Sequence, residues 1–315
     1  MKERLYFDTI ILGGGPAGLS AGIYASRGAV STAIIDTSMF GGQPSNYLEL
    51  ENYPGFLSVD GYDLMEKFEQ HADMFDVKKF PMQEIETIDL KSKTICTKEY
   101  NFEAKTIIIA TGASPLKLGV EGEKEFVGRG VSYCAVCDGA FYKDKVVAVV
   151  GGGNSAVEEA IYLTRFAKKV FVIHRRNELR ADKIIQDRAF KNEKIEFVFD
   201  TVVEKIVGEN TVNSVVIKNV KTSDIRILNV EGVFPYIGIK PNTEMFCTQL
   251  KQDERGFIIT DETMQTNIEG VYAVGDVRNT PLRQVVTATA DGAVAAVYAV
   301  KYIEEKSHVL EKNFV

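Results

Sequence analysis

The chain has 315 residues, a length that corresponds to about two domains of roughly 150 residues each. With 45% hydrophobic and 26% charged residues it carries enough apolar material for packed cores, and its 37 basic against 44 acidic residues leave a net charge of −7, which argues against nucleic acid or an anionic membrane as partner. No run approaches the ~18 apolar residues of a membrane span, nothing resembles a signal peptide, and four cysteines with a single close pair point to a reducing cytoplasm.

Phe7-Asp-Thr-Ile-Ile-Leu12 has the apolar run of a buried strand. A glycine turn, Gly13-Gly14-Gly15-Pro16-Ala17-Gly18, follows it and opens a helix from about Pro16 to Arg27, which Gly28 stops. Gly13 permits the tight turn, Gly15 lets a pyrophosphate approach the backbone, and Gly18 lets helix and strand pack closely, with the helix N-terminus facing the phosphates. Ser31 to Asp36 is the next strand. Asp36 stands where a carboxylate can accept a hydrogen bond from an adenosine ribose hydroxyl; read alone, it is an exposed strand-end acid. Polar-punctuated β segments run from Glu84 to Phe102, and Thr106 to Gly112 is an apolar strand ending in glycine.

Cys134-Ala-Val-Cys137-Asp138 comes next. A two-residue gap between cysteines allows a small, reducible disulfide that can trade electrons with a bound cofactor. Alone, the same spacing is half a zinc site or two buried thiols. A zinc site needs further ligands, and His71, His174 and His308 do not supply them by spacing. Cys96 and Cys247 have no cysteine neighbour and are expected to be structural thiols.

The same order of elements then returns. Lys145 to Val150 is a strand, Gly151-Gly152-Gly153-Asn154-Ser155-Ala156 a glycine turn, Ser155 to Ala167 a helix and Lys169 to Ile173 the second strand. This strand ends not in an acid but in His174-Arg175-Arg176, with Arg180 expected one helical turn beyond. Guanidinium groups bind a 2′-phosphate through paired, charge-assisted hydrogen bonds, so the second site predicts NADP(H) rather than NAD(H); the alternative is a solvated basic helix start, and His174 by itself is more often a packing residue than a ligand. Further β segments span Ile195 to Val230, and Val233 to Gly238 again closes in glycine. A last strand, Gly270 to Val274, ends in Gly275-Asp276, and Arg283-Gln284-Val285 leads into an apolar helix up to about Ile303. Asp276 can bind a ribityl hydroxyl, and the helix N-terminus can stabilise the charge on a reduced flavin; alone, Asp276 is an ordinary turn residue. The doubled plan predicts an α/β chain of two Rossmann-like, three-layer dinucleotide-binding domains with β-meander insertions, the second inserted into the first. The expected boundaries are 1–115 with 245–315 for a discontinuous flavin-binding domain and 116–244 for an NADP(H)-binding domain carrying the dithiol. Ser114-Pro115 and Lys240-Pro241 mark the crossings.

Across nearly its whole length the chain resembles the low-molecular-weight bacterial thioredoxin reductases. The resemblance is carried by the two glycine turns, Gly41-Gly42-Gln43, Glu51-Asn52-Tyr-Pro-Gly55 and Ala110-Thr111-Gly112. It continues through the cysteine motif, His174-Arg-Arg-Asn-Glu-Leu-Arg180, Gly275-Asp276 and Arg283-Gln284. It implies FAD and NADPH as cofactors, thioredoxin as the protein substrate and a homodimer. In the family pattern Cys137 faces the flavin, Cys134 exchanges with thioredoxin, and Asp138 gives and takes the proton. FAD contacts would come from Gly13, Gly15, Pro16, Ala17, Gly18 and Asp36 in the first turn. Gly42, Gln43, Asn52, Ala110, Thr111 and Gly112 would follow, with Asp276, Arg283, Gln284 and Val285 near the end. NADPH would meet Gly151, Gly153, Asn154, Ser155 and Ala156, then His174, Arg175, Arg176 and Arg180, and finally Ile237 and Gly238. The chain departs from the family in the Ala-Val centre of its redox motif and in having no tryptophan. A ferredoxin-dependent branch is expected to lack the second glycine-alanine and arginine signatures, which are intact here. One rival shares the core, a reductase of another protein disulfide such as the flavin subunit of alkyl hydroperoxide reductase with its extra N-terminal dithiol domain; a rival of another class is a flavin-bound redox sensor whose disulfide regulates binding to a partner without turnover. Phe141-Tyr142 and Arg129, flanking the redox motif, are expected either to form a partner surface or to have both rings packed in the core.

Overall fold

The computed structural model describes residues 2–46 and 50–312, apart from the side chains of Cys137 and of residues 308–312. It splits into two compact units, Met1–Ser114 with Lys240–Val315, and Pro115–Ile239. The chain thus rejoins its first unit at Lys240 and not at residue 245. Local bonding explains the difference. Asn242 gives its backbone N–H to Gly112 O and its Nδ2 to Thr111 O, and Thr243 Oγ1 donates to Gly256 O.

In the first unit, β1 (Glu3–Leu12), α1 (Pro16–Arg27) and β2 (Thr32–Ile35) follow in order. Helix α2 (Gly61–Asp73) leads to β3 (Lys78–Phe80), then to β4 (Ile85–Asp89), β5 (Thr94–Thr97) and β6 (Tyr100–Ile109). α1 has a glycine N-cap and Pro16 in its first turn, where a missing N–H costs nothing. Helix α2 has no counterpart among the elements expected from the sequence; its start is fixed by Asp60 accepting from the Tyr62 and Asp63 N–H groups. Strands β3, β2, β1 and β6 pair in parallel, while β4, β5 and the first half of β6 form an antiparallel meander.

After β7 (Ala113–Pro115) the second unit repeats this plan. Short helix α3 (Ala135–Asp138) precedes β8 (Val146–Gly151), α4 (Asn154–Leu163), β9 (Lys169–Ile173), α5 (Lys183–Phe190) and β10 (Ile195–Val198). The meander β11 (Thr201–Gly208), β12 (Val212–Asn219) and β13 (Ile225–Asn229) is antiparallel, and β14 (Gly232–Tyr236) returns to pair with β8. The parallel order is β10-β9-β8-β14. β15 (Ile239–Pro241) pairs with β7 where the chain passes between units. β16 (Val271–Ala273) then joins the second half of β6, and α6 (Val285–Lys312) closes the first unit.

Both parallel sheets are covered on both faces, as such sheets must be. Along β1, Ile11 packs into the cluster with α1 and α6, while Ile10 and Leu12 enter the opposite cluster with Phe102 and Phe246. Along β8, Val147 and Val149 meet α4, while Ala148 and Val150 meet the meander. Each of the Val, Leu, Ile and Phe side chains among them contributes about 1.5–3 kcal/mol on burial. α4 stops four residues short of Ala167, and α6 runs beyond Ile303. Among the described residues no helix is long and apolar enough to cross a membrane.

Candidate functional site

The β1–α1 turn is a cradle only glycine can build. Gly13 has φ +109, and a Cβ there would lie 2.3 Å from Ala110 O. A Cβ on Gly18 would lie 1.8 Å from Gly13 O, so helix and strand touch backbone to backbone. Gly15, the N-cap of α1, makes no side-chain cap and has only Gly42 Cα within 4 Å of its Cβ position. That face is open to a phosphate, and α1 aims its unpaired first-turn N–H groups at it. Pro16 and Ala17 occupy that first turn, and Gly41 N–H to Gly14 O holds the Gly41-Gly42-Gln43 loop beside it.

Asp36 does more than the sequence indicates. Its Oδ2 accepts from Gly14 N–H at 2.6 Å and its Oδ1 from Ser38 N–H at 2.8 Å. It therefore braces the turn, and a carboxylate still has lone pairs to offer a ribose hydroxyl. The fold brings Asn52 and Gln284 together across 232 positions, with Asn52 Nδ2 donating to Gln284 Oε1 at 2.9 Å. Ala110, Thr111 and Gly112 end β6's side of the site, with Thr111 Oγ1 donating to Asn242 O at 2.8 Å; Asn242 was not visible in the sequence as a site residue.

Asp276 lies half-buried in the turn after β16, and its carboxylate accepts no hydrogen bond among the described residues. Burial pushes its pKa up, Arg283 draws it down, and Asp291 adds to the rise. Arg283 stacks 4.0 Å over the Phe257 ring, and its buried Nε has no partner among the described residues. Buried polar groups without partners are costly, so both side chains fit a polar ligand beside Val285, the first residue of α6.

The second turn is built alike. Gly151 has φ +154, with its Cβ position 2.3 Å from Tyr236 O, while nothing lies within 4 Å of the Cβ position of Gly153. His174 is buried, and a Cβ on Gly152 would sit 2.5 Å from its ring. Burial first and then Arg180 hold the His174 pKa below its ordinary value, so the ring is neutral at pH 7. No helix begins here. Residues 174–182 are irregular, held by Arg180 and Ala181 N–H groups on Gly152 O and by Asn154 paired with Asp182, so Arg180 is not one helical turn beyond Arg176. The loop-to-loop bonds replace the helix that the basic run predicts. Arg175, Arg176 and Arg180 are exposed, and among the described residues none makes a hydrogen bond or ion pair through its guanidinium. Ser155 is exposed, Ala156 is buried against Gly151, and Ile237 and Gly238 (φ +135) lie just past β14.

Cys134 is disulfide-bonded and half-buried. Its N–H donates to Ser132 Oγ at 3.1 Å, the next N–H, of Ala135, donates to Tyr236 Oη at 3.0 Å, and Asp138 N–H returns to Cys134 O at 3.2 Å. These bonds fix the start of α3. The backbone of Cys137 lies within α3, but its side chain is outside the described residues. Burial and then the Asp138 charge push the Tyr142 phenol up to about 12. The expected aromatic pair separates: Phe141 is 74% exposed, whereas Tyr142 is buried edge-on against Phe234 beneath Gly232. Arg129 is exposed and donates to Glu125 O. Cys247 is exposed and Cys96 half-buried beside Lys2 Nζ at 3.0 Å, so neither free thiol packs in a core. Among the described residues no group of three His, Cys, Asp or Glu could hold a metal ion.

Comparison with known proteins agrees with this geometry. The family model described as pyridine nucleotide-disulphide oxidoreductase matches residues 7–292. A thioredoxin reductase of Listeria innocua is 49% identical, over 98% of each chain, and one of Bacillus subtilis is 46% identical, over 99% of each. The crystal structure of Lactococcus lactis thioredoxin reductase in its FR conformation superimposes with a TM-score of 0.92 at 45% identity, covering 95% of this chain and 99% of that one. With its paired glycine turns and disulfide-bonded Cys134, the chain belongs to the pyridine nucleotide-disulphide oxidoreductase family.

Proposed function

We propose that this chain is an NADPH-dependent, FAD-containing thioredoxin reductase. The observation that carries the reading is the disulfide at half-exposed Cys134, held at the start of α3 in a unit that also contains a glycine cradle open at Gly153. Likeness over nearly the whole length to reductases named for thioredoxin supports the acceptor. Bound flavin and nicotinamide supply the hydride and electron transfers. The protein's part is binding, orientation and proton handling. Gly13, Gly15, Pro16, Ala17 and Gly18 receive the FAD pyrophosphate, Asp36 the adenosine ribose, and Asp276, Arg283, Gln284 and Val285 the ribityl and ring end. Gly42, Gln43, Asn52, Ala110, Thr111 and Gly112 complete that unit's contacts. In the other unit Gly151, Gly153, Asn154, Ser155 and Ala156 receive NADPH, Arg175, Arg176 and Arg180 its 2′-phosphate, with His174 beneath the turn and Ile237 and Gly238 past β14. Cys134 exchanges with thioredoxin, Cys137 faces the flavin, and Asp138 holds and returns the proton. In this reading the unit of Met1–Ser114 with Lys240–Val315 is the FAD domain, and Pro115–Ile239 is the NADPH domain that carries the dithiol. A reducing cytoplasm and a homodimer complete it.

The test is reduction of a disulfide dye by NADPH, with and without thioredoxin. Thioredoxin should raise the rate, and Cys137→Ser should abolish it while leaving FAD bound. A Cys137→Ser protein as fast as wild type would overturn the dithiol assignment, and a rate indifferent to thioredoxin would overturn the acceptor. FAD reduction without any turnover would favour a redox sensor.

A further inference from the structure

We propose that Asp291 and Arg278 are positioning residues for the flavin, acting through the turn Gly275–Val277 that carries Asp276. The inference rests on the FAD reading above. Asp291 lies on α6, and its Oδ2 accepts from Gly275 N–H and from Arg278 Nη1, each at 3.1 Å. Both side chains of this ion pair are only 12% exposed. Arg278 is held at three further points. Its Nε donates to Thr260 Oγ1 at 2.7 Å, its N–H to Gly275 O at 3.3 Å, and its carbonyl accepts from Arg283 Nη2 at 3.4 Å.

One carboxylate thereby fixes the first amide of the turn and, through Arg278, the Arg283 guanidinium. Asp276 sits between these two anchors with no hydrogen bond among the described residues. Gly275 has φ +70, and its Cβ position lies 3.1 Å from Ala17 Cβ and 3.5 Å from Ala288 Cβ, so the turn has little room to slide toward either helix. A binding site needs its contacting groups locked by the groups behind them. Stability alone does not require this pair, because two well-packed apolar side chains serve a buried site equally well.

That equivalence supplies the test. Apoprotein of wild type, of the double variant Arg278→Met/Asp291→Leu and of Asp291→Asn is titrated with FAD, read by flavin fluorescence, and melted without FAD. The double variant leaves the Gly275 N–H without its acceptor and should melt no more than about ten degrees below wild type, yet bind FAD about tenfold or more weakly, the factor by which groups that orient a metal's ligands act. Asp291→Asn keeps the shape and an acceptor for Gly275 N–H, and should lose less than the double variant, up to about tenfold. A double variant with FAD affinity within twofold of wild type overturns the proposal. If that variant does not fold, unchanged affinity in Asp291→Asn overturns it instead. Wild-type apoprotein that takes up no FAD sinks the flavin reading itself, and the proposal with it.

Discussion

In the first unit the residue after the second strand, Asp36, reaches into the glycine turn and takes the Gly14 N–H; in the second unit His174 follows the second strand and lies under its turn, against Gly152. The first turn is braced by a side chain's charge. The second is braced from the far side, by the backbone of Arg180 and Ala181 on Gly152 O. The difference teaches how one scaffold can brace the same glycine turn in two ways. With the turn held by backbone, the second unit needs no carboxylate at the strand end, and Arg175 and Arg176 stand free of any ion pair among the described residues. The helices differ in the same manner. Where α1 buries Ala21, α4 buries Glu159, whose Oε2 has no hydrogen-bond partner among the described residues.

The sharpest way to break this comparison is at the arginines. Hydrogen bonds to charged groups contribute roughly 1.5–3 kcal/mol each. Arg175→Ala with Arg176→Ala should therefore weaken NADPH use by about two to four powers of ten and spare NADH. Steady-state kinetics with both coenzymes decides it, and equal losses would mean the arginines only support the fold.

Next in size is a contrast between glycines. Gly18→Ala forces a Cβ to 1.8 Å from a backbone oxygen, whereas Gly153→Ala meets nothing. Urea unfolding should show the first losing at least about 3 kcal/mol, and the second less than about 1 kcal/mol. A mild Gly18→Ala would mean that the first turn yields where the geometry says it cannot.

A smaller effect separates α4 from α1. Burial first, then Glu158, raises the Glu159 pKa from 4.5 to about 8. A raised folded pKa means the native state holds the proton more tightly than the unfolded chain. The stabilisation is whole below pH 4.5 and drains as pH rises to about 8, by at most about 1.4 kcal/mol per pH unit. Glu159→Gln should flatten that slope, as urea midpoints at pH 6 and pH 9 will show. An unchanged slope would place the titration elsewhere.

The least effect is expected at the other strand end. Asp36→Asn keeps an oxygen for Gly14 N–H but loses the charge, so FAD affinity should fall about fivefold, or about 1 kcal/mol. No change in an FAD titration would mean that Asp36 serves the turn alone.

Much of this was legible because it is local. Glycines that must take φ +109, or whose Cβ would lie 2.3 Å from a carbonyl oxygen, announce themselves, as does a parallel strand made of Ile, Leu and Val. The bounds of α1 and β9 came out as the periodicity predicts. The failures share a different cause. The basic run after β9 looked like a helix start, but Gly152, far back in the chain, claims the N–H groups of Arg180 and Ala181. Phe141 and Tyr142 are alike and adjacent, yet only Gly232 and Phe234 decide which ring is buried.

Chain order and spacing alone determined the α/β plan, its duplication, the two nucleotide turns and the place of the dithiol, since each depends on residues within one strand–turn–helix segment. The tertiary structure decided which groups stand behind them. Asn52 with Gln284, Thr111 with Asn242, and Gly275 with Asp291 and Arg278 are hydrogen-bonded sets. Asn52 and Gln284 are 232 positions apart, and Thr111 and Asn242 are 131 apart. Bonds over such separations form only once packed sheets have brought distant loops together, and no local propensity encodes them.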